Sequence, residues 1–87
     1  MKKAIVLDVA GTELTFTPTP QDYDESQNEM LQGDAAASAH NFVMRSVSDD
    51  SKEALRELVE SNPGASMQLY GEVMKQFAPK LKITVKK

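Results

Sequence analysis

An α+β domain is predicted for this chain. A small sheet, made of an N-terminal β-hairpin and a C-terminal strand, is packed by about four short helices. Three observations carry that expectation. Residues 5–16 alternate apolar and polar side chains on both sides of a short turn, the period of half-buried strands. Residues 20–78 switch to apolar spacings of three and four, punctuated by Gly and Pro, as short helices require. Residues 80–87 return to strict alternation. With 87 residues, folding buries about 63% of the surface the unfolded chain exposes. One core is affordable, so residues 1–87 form one domain: hairpin 1–17, helical region 20–78, strand 80–87.

The hairpin has a definite register. If Val9 pairs with Thr12, Leu7 faces Leu14 and Ile5 faces Phe16, so one face is uniformly apolar. A slip of one residue would turn one strand's apolar set outward. The same register sets Asp8 opposite Glu13, a repulsive pair tolerable on a wet face. Ala10-Gly11 is a weaker two-residue turn signal than Asn-Gly, and a bulged turn is the alternative.

Thr17-Pro18-Thr19-Pro20 closes the hairpin, since proline lacks the ladder's amide donor. Thr19 is the expected N-cap of a first helix over 20–31, with Pro20 at its first position. Asp22, Asp24 and Glu25 suit its N-terminal dipole. Its apolar residues are few: Tyr23, Met30 and Leu31. Asp34 caps a second helix over 35–47, with Ala36, Ala39, Val43 and Val47 on one stripe that Phe42 widens. A third helix starts around Ser48–Ser51. There Asp50 and Glu53 have capping-box spacing, and Ala54, Leu55, Leu58 and Val59 form the core stripe. Asn62 is the expected cap of a fourth helix, with Pro63 at its first position. Leu69, Tyr70, Val73 and Phe77 make its stripe, flanked by Met67 and Met74. Gly71 is read as a site of close packing. Pro79 ends this helix. In the tail, Leu81, Ile83 and Val85 alternate with lysines. The simplest partner for this strand is an edge of the N-terminal hairpin, and another chain is the alternative.

Composition excludes much chemistry. The absence of Cys rules out disulfides, thiol catalysis and zinc–thiolate sites. His40 is the single imidazole, and a catalytic role would need the fold to bring a nucleophile or an orienting carboxylate to it; a surface or packing role is expected. The acidic clusters at 22–25 and 49–50 lack EF-hand spacing and fall at helix starts, where capping explains them. The four glycines form no phosphate-cradling motif. No catalytic residue, metal ligand or cofactor is expected, and the protein is expected not to be an enzyme. The longest apolar run is Ala4–Leu7, far below the ~20 residues that span a bilayer. A cytoplasmic protein without membrane contact is expected.

The net charge of −3 is uneven. Residues 8–60 hold 12 acids and three bases, and residues 61–87 hold five lysines and one acid. An acidic middle disfavours broad nucleic-acid binding. A small nucleic-acid-associated regulator is the alternative reading, from the helix–turn–helix-like pair around Asn62-Pro63-Gly64 and the basic tail. Its reading helix offers only Gln68, Lys75 and Gln76. The helices carry more apolar residues than so small a core hides. Tyr23, Met30, Leu31, Met44, Met67, Tyr70 and Met74 are therefore the candidate partner-binding residues, methionine being adaptable at such surfaces.

Several strings together resemble the small tail assembly chaperones of tailed bacteriophages. They are Ile5-Val6-Leu7-Asp8 with Gly11, Leu14-Thr15-Phe16-Thr17-Pro18-Thr19, Asp22-Tyr23, Asn41-Phe42-Val43-Met44-Arg45-Ser46-Val47, Lys52-Glu53-Ala54-Leu55-Arg56-Glu57-Leu58 and Phe77-Ala78-Pro79-Lys80-Leu81-Lys82-Ile83. They cover nearly the whole length. The resemblance implies a non-enzymatic protein of phage or prophage virion morphogenesis. It would bind the tape measure protein and assist tail tube assembly in the bacterial cytoplasm, with the tail tube protein as a further partner. In some phages of the family a longer product arises by frameshifting. No coiled-coil seam is present, so a monomer or weak homo-oligomer is expected.

Overall fold

The computed structural model describes residues 4–79 and 81–86. In chain order it contains β1 (Ile5–Val9), β2 (Thr12–Phe16), α1 (Pro20–Leu31), α2 (Ala35–Ser46), a 3-10 turn (Asp49–Ser51), α3 (Lys52–Ser61) and α4 (Ala65–Phe77). The class is α+β, with one two-stranded antiparallel sheet.

β1 and β2 pair in the anticipated register: Ile5 with Phe16, Leu7 with Leu14, Asp8 with Glu13, Val9 with Thr12. Ala10 and Gly11 both have positive φ, 52° and 89°, the two-residue turn whose twist matches the strands. The Asp8 carboxylate accepts from the Gly11 amide at 3.0 Å, which helps to hold Ala10 in a conformation uncommon for a residue with a Cβ.

The outer edge of β2 is stitched to the helical half. Thr17 N–H donates to the Ser46 carbonyl (2.7 Å), and Ser48 N–H to the Thr15 carbonyl (2.8 Å). Thr15 N–H donates to Ser51 Oγ at 3.0 Å, and Phe16 bridges Val47. Among the described residues, no such bonds cover the outer edge of β1. Pair geometry alternates along an antiparallel ladder. Counting from the turn, it directs the N–H and C=O groups of Val6 and Asp8 away from β2.

The helices start largely as their caps dictate. Thr19 and Asp22 form a reciprocal capping box, with Pro20 inside the first turn. Asp34 accepts from the Ala37 amide at 3.0 Å. Two caps differ from expectation. Asp50 does not cap α3: Asp49–Ser51 winds as a 3-10 turn, and α3 begins at Lys52 without a side-chain cap. The Ser51 hydroxyl serves β2 instead. Asn62 and Pro63 remain in the turn before α4, whose N-cap is Gly64 at φ 83°, a left-handed conformation that suits glycine.

The core lies between the inner face of the hairpin and α2, α3 and α4. Leu14, Phe16, Phe42, Val43, Leu55 and Val73 are fully buried, joined by Ile5, Val47 and Leu69. A Cβ built at Gly71 meets nothing within 4 Å, so close packing does not account for that glycine.

The expected C-terminal strand is overturned. Residues 81–86 form no strand and join no ladder among the described residues; Lys80 and Lys87, the first and last residues of the expected strand, lie outside the described residues. Leu81, Ile83 and Val85 are 77%, 81% and 85% exposed. Alternation supplies two faces, but a strand also needs a hydrogen-bonding edge, and none meets this segment. The molecule is correspondingly long, 51 × 28 × 22 Å. Its accessible surface is 6222 Å², against about 5,100 Å² for a compact monomer of this mass.

Candidate functional site

α1 docks by polar contacts more than apolar ones. Its only fully buried residue is Ser26. Ser38 Oγ of α2 donates to the Ser26 carbonyl at 2.6 Å, and Ser26 Oγ donates to the Tyr23 carbonyl at 2.7 Å. Asn41 Nδ2 donates to Glu29 at 2.8 Å. The guanidinium of Arg45 lies 3.3 Å from Glu25, 3.4 Å from Glu29 and 4.0 Å from Asp22. Small side chains at Ser26, Ser38 and Ala39, all at 0% exposure, let the two backbones approach closely.

Along its other side α1 meets α4. The rings of Tyr23 and Phe77 sit 6.4 Å apart, and Gln27 Nε2 donates to the Tyr70 hydroxyl at 3.3 Å. Tyr70 also stands edge-on to Phe42 at 5.4 Å, a favourable aromatic geometry. Met67, Tyr70, Met74 and Phe77 fall on one helical stripe of α4.

The seven candidate partner residues therefore divide. Tyr23 and Tyr70 take part in the α1–α4 contacts; Met30 and Leu31 lie on α1, and Met67 and Met74 on α4. Leu31 is 86% exposed and Met67 46%; Tyr23 and Met30 are half-buried. Tyr70 and Met74 pack against the core and are not spare apolar surface. Met44 is separate: it lines a recess of about 240 Å³ with His40, Arg56 and Val59. Sequence reasoning passed over Val6, 55% exposed, and the apolar tail residues Leu81, Ile83 and Val85. The signal for the tail was its alternation, which was assigned to a buried strand face.

A shallow groove of about 350 Å³ runs between β1 and α4. Leu7, Val9 and Leu69 form its apolar wall, with Asp8, Gln68 and Glu72 at the rim. It adjoins a second recess of about 290 Å³ that shares Val9, Gln68 and Leu69. Asp8 and Glu72 are the titratable groups among its lining residues.

His40 Nδ1 lies 3.0 Å from Ser66 Oγ, a contact between α2 and α4. Lys75 pairs with Glu72 at 3.0 Å, so one of the three side chains expected for nucleic-acid reading, Gln68, Lys75 and Gln76, is engaged by an acid. Among the described residues, no three His, Cys, Asp or Glu side chains are grouped to hold a metal ion. No helix among them is long and apolar enough to cross a membrane.

Comparison with known proteins gives a consistent answer. The family model described as phage tail assembly chaperone matches residues 5–87. An uncharacterised 11.3 kDa protein from the lys 3′ region of Haemophilus phage HP1 (strain HP1c1) is 30% identical over 86 residues. That alignment covers 99% of this chain and 83% of the phage protein. No solved structure matches the chain.

Proposed function

The chain belongs to the phage tail assembly chaperone family, and from that premise we propose that it works by binding protein rather than by catalysis. It holds a segment of the tape measure protein while tail tube subunits assemble, in the cytoplasm of the bacterial host. The observation that supports this reading is the α1–α4 seam. Leu31 on α1 and Met67 on α4 are exposed, and α4 carries a stripe of Met and aromatic residues that α1 covers with little apolar contact. A partner helix with an apolar face suits such a seam. Met30, Leu31 and Met67 make first contact, and Tyr23, Tyr70 and Met74 become available as α1 yields.

Co-expression with a tape measure fragment tests the proposal. The fragment's soluble fraction rises and the two proteins co-purify. Leu31→Glu and Met67→Glu weaken co-purification without altering the far-ultraviolet spectrum of the chaperone. Unchanged fragment solubility with no co-purification overturns it.

A further inference from the structure

We infer that the C-terminal segment 81–86 of one chain adds as a strand to the open edge of β1 in a second copy, filling the groove between β1 and α4. Among the described residues, two half-sites in one molecule lack partners, and they match. The N–H and C=O groups of Val6 and Asp8 point away from β2, whereas the outer edge of β2 is already bonded to Ser46, Ser48 and Ser51. The tail has period-two patterning and leaves Leu81, Ile83 and Val85 in solvent. A strand laid along β1 turns alternate side chains to opposite faces. Leu81, Ile83 and Val85 then enter the groove against Leu7, Val9 and Leu69. Lys82 and Lys86 fall on the opposite face, where Asp8 and Glu13 stand directly across from each other.

Charge complementarity selects this occupant. Asp8 and Glu13 are exposed like charges on paired strands, and an adjacent lysine converts a repulsive cross-strand pair into an attractive one. The tail does not fill the groove of its own chain: Leu81, Ile83 and Val85 stand in solvent, which leaves the second copy as the donor. Reciprocal exchange is isologous and closes at two copies. It covers both β1 edges, which otherwise remain templates for uncontrolled pairing.

Sedimentation equilibrium on the full chain, from about 10 to 200 µM, tests this. The unaltered chain forms a dimer. Ile83→Asp puts a charge in the groove, and Val6→Pro removes an outward amide that β2 does not use; each weakens dimerisation at least about tenfold. Mixing the two variants restores a heterodimer, because the tail of the Val6→Pro chain meets an intact groove on the Ile83→Asp chain. Ile83 is exposed, so Ile83→Asp leaves the fold intact and decides the matter even where Val6→Pro loosens the hairpin. A chain that stays monomeric throughout, self-association that survives Ile83→Asp, or a monomer whose amides at 81–86 are protected from exchange overturns the inference.

Discussion

Replacing Ser38 should release α1 while leaving the rest of the domain folded. Ser38 is at 0% exposure, and its hydroxyl lies 2.6 Å from the Ser26 carbonyl. Ser38→Ala removes one buried hydrogen bond, about 1 kcal/mol. Ser38→Leu also forces two more heavy atoms into the closest point of the α1–α2 contact. Overpacking of that kind costs roughly 1–3 kcal/mol, for a total of about 2–4 kcal/mol. A chain of this length is stable by roughly 4–13 kcal/mol, so Ser38→Leu still folds. The cost should fall on α1, whose one fully buried residue is Ser26, and not on α3, which buries Leu55 among the core residues. Native-state hydrogen exchange resolves the two. Amides of residues 20–31 lose protection about fivefold in Ser38→Ala and about 30- to 1,000-fold in Ser38→Leu, while those of 52–61 change little. Equal losses in α1 and α3, or an unchanged α1, would refute the idea that one polar contact governs this docking.

The remaining predictions concern the core and the backbone. Phe42→Ala empties the centre of the core and parts the Tyr70 ring contact, lowering stability by about 3–5 kcal/mol in urea titration. Gly71→Ala, in helical conformation with open space at its Cβ, raises stability by about 1 kcal/mol. Gly64→Ala, at φ 83°, lowers it by about 1–2 kcal/mol with equally open space; thermal melts of the pair separate conformation from crowding. Thr19→Ala breaks the capping box and costs about 1 kcal/mol in the same melts.

The hairpin was legible because both strands alternate and only one register matches their apolar sets. α1 was legible because Thr19, Pro20 and Asp22 mark its start with local chemistry. The caps of α3 and α4 were not, because their chemistry is settled at a distance or by dihedral angle. Ser51 is drawn to Thr15, thirty-six residues away, and Gly64 takes the left-handed position that Asn62 and Pro63 cannot fill together. The tail misled for a related reason. Period two reports which side chains share a face and says nothing of whether an edge is present to receive them. For the candidate surface, the helix residues read as spare differ in their burial. Tyr70, Met74 and Met44 all pack against the core, and much of the surplus stands in the tail instead.

The bonds joining Thr15 and Thr17 to Ser46, Ser48 and Ser51 also bear on how fast this domain assembles. The hairpin itself is local and forms in microseconds. Its second edge is completed only when roughly thirty intervening residues close into a loop, an entropic cost of about 3 kcal/mol by the logarithmic length law. α1 lies within that loop, and its sparse apolar surface contributes little toward closing it. The folding barrier should therefore sit at the meeting of Phe16 with Val47, with α1 docking after the barrier is crossed. Newly made chains would pass through a state in which the hairpin and α2 have joined while the Met-lined stripe of α4 is still uncovered.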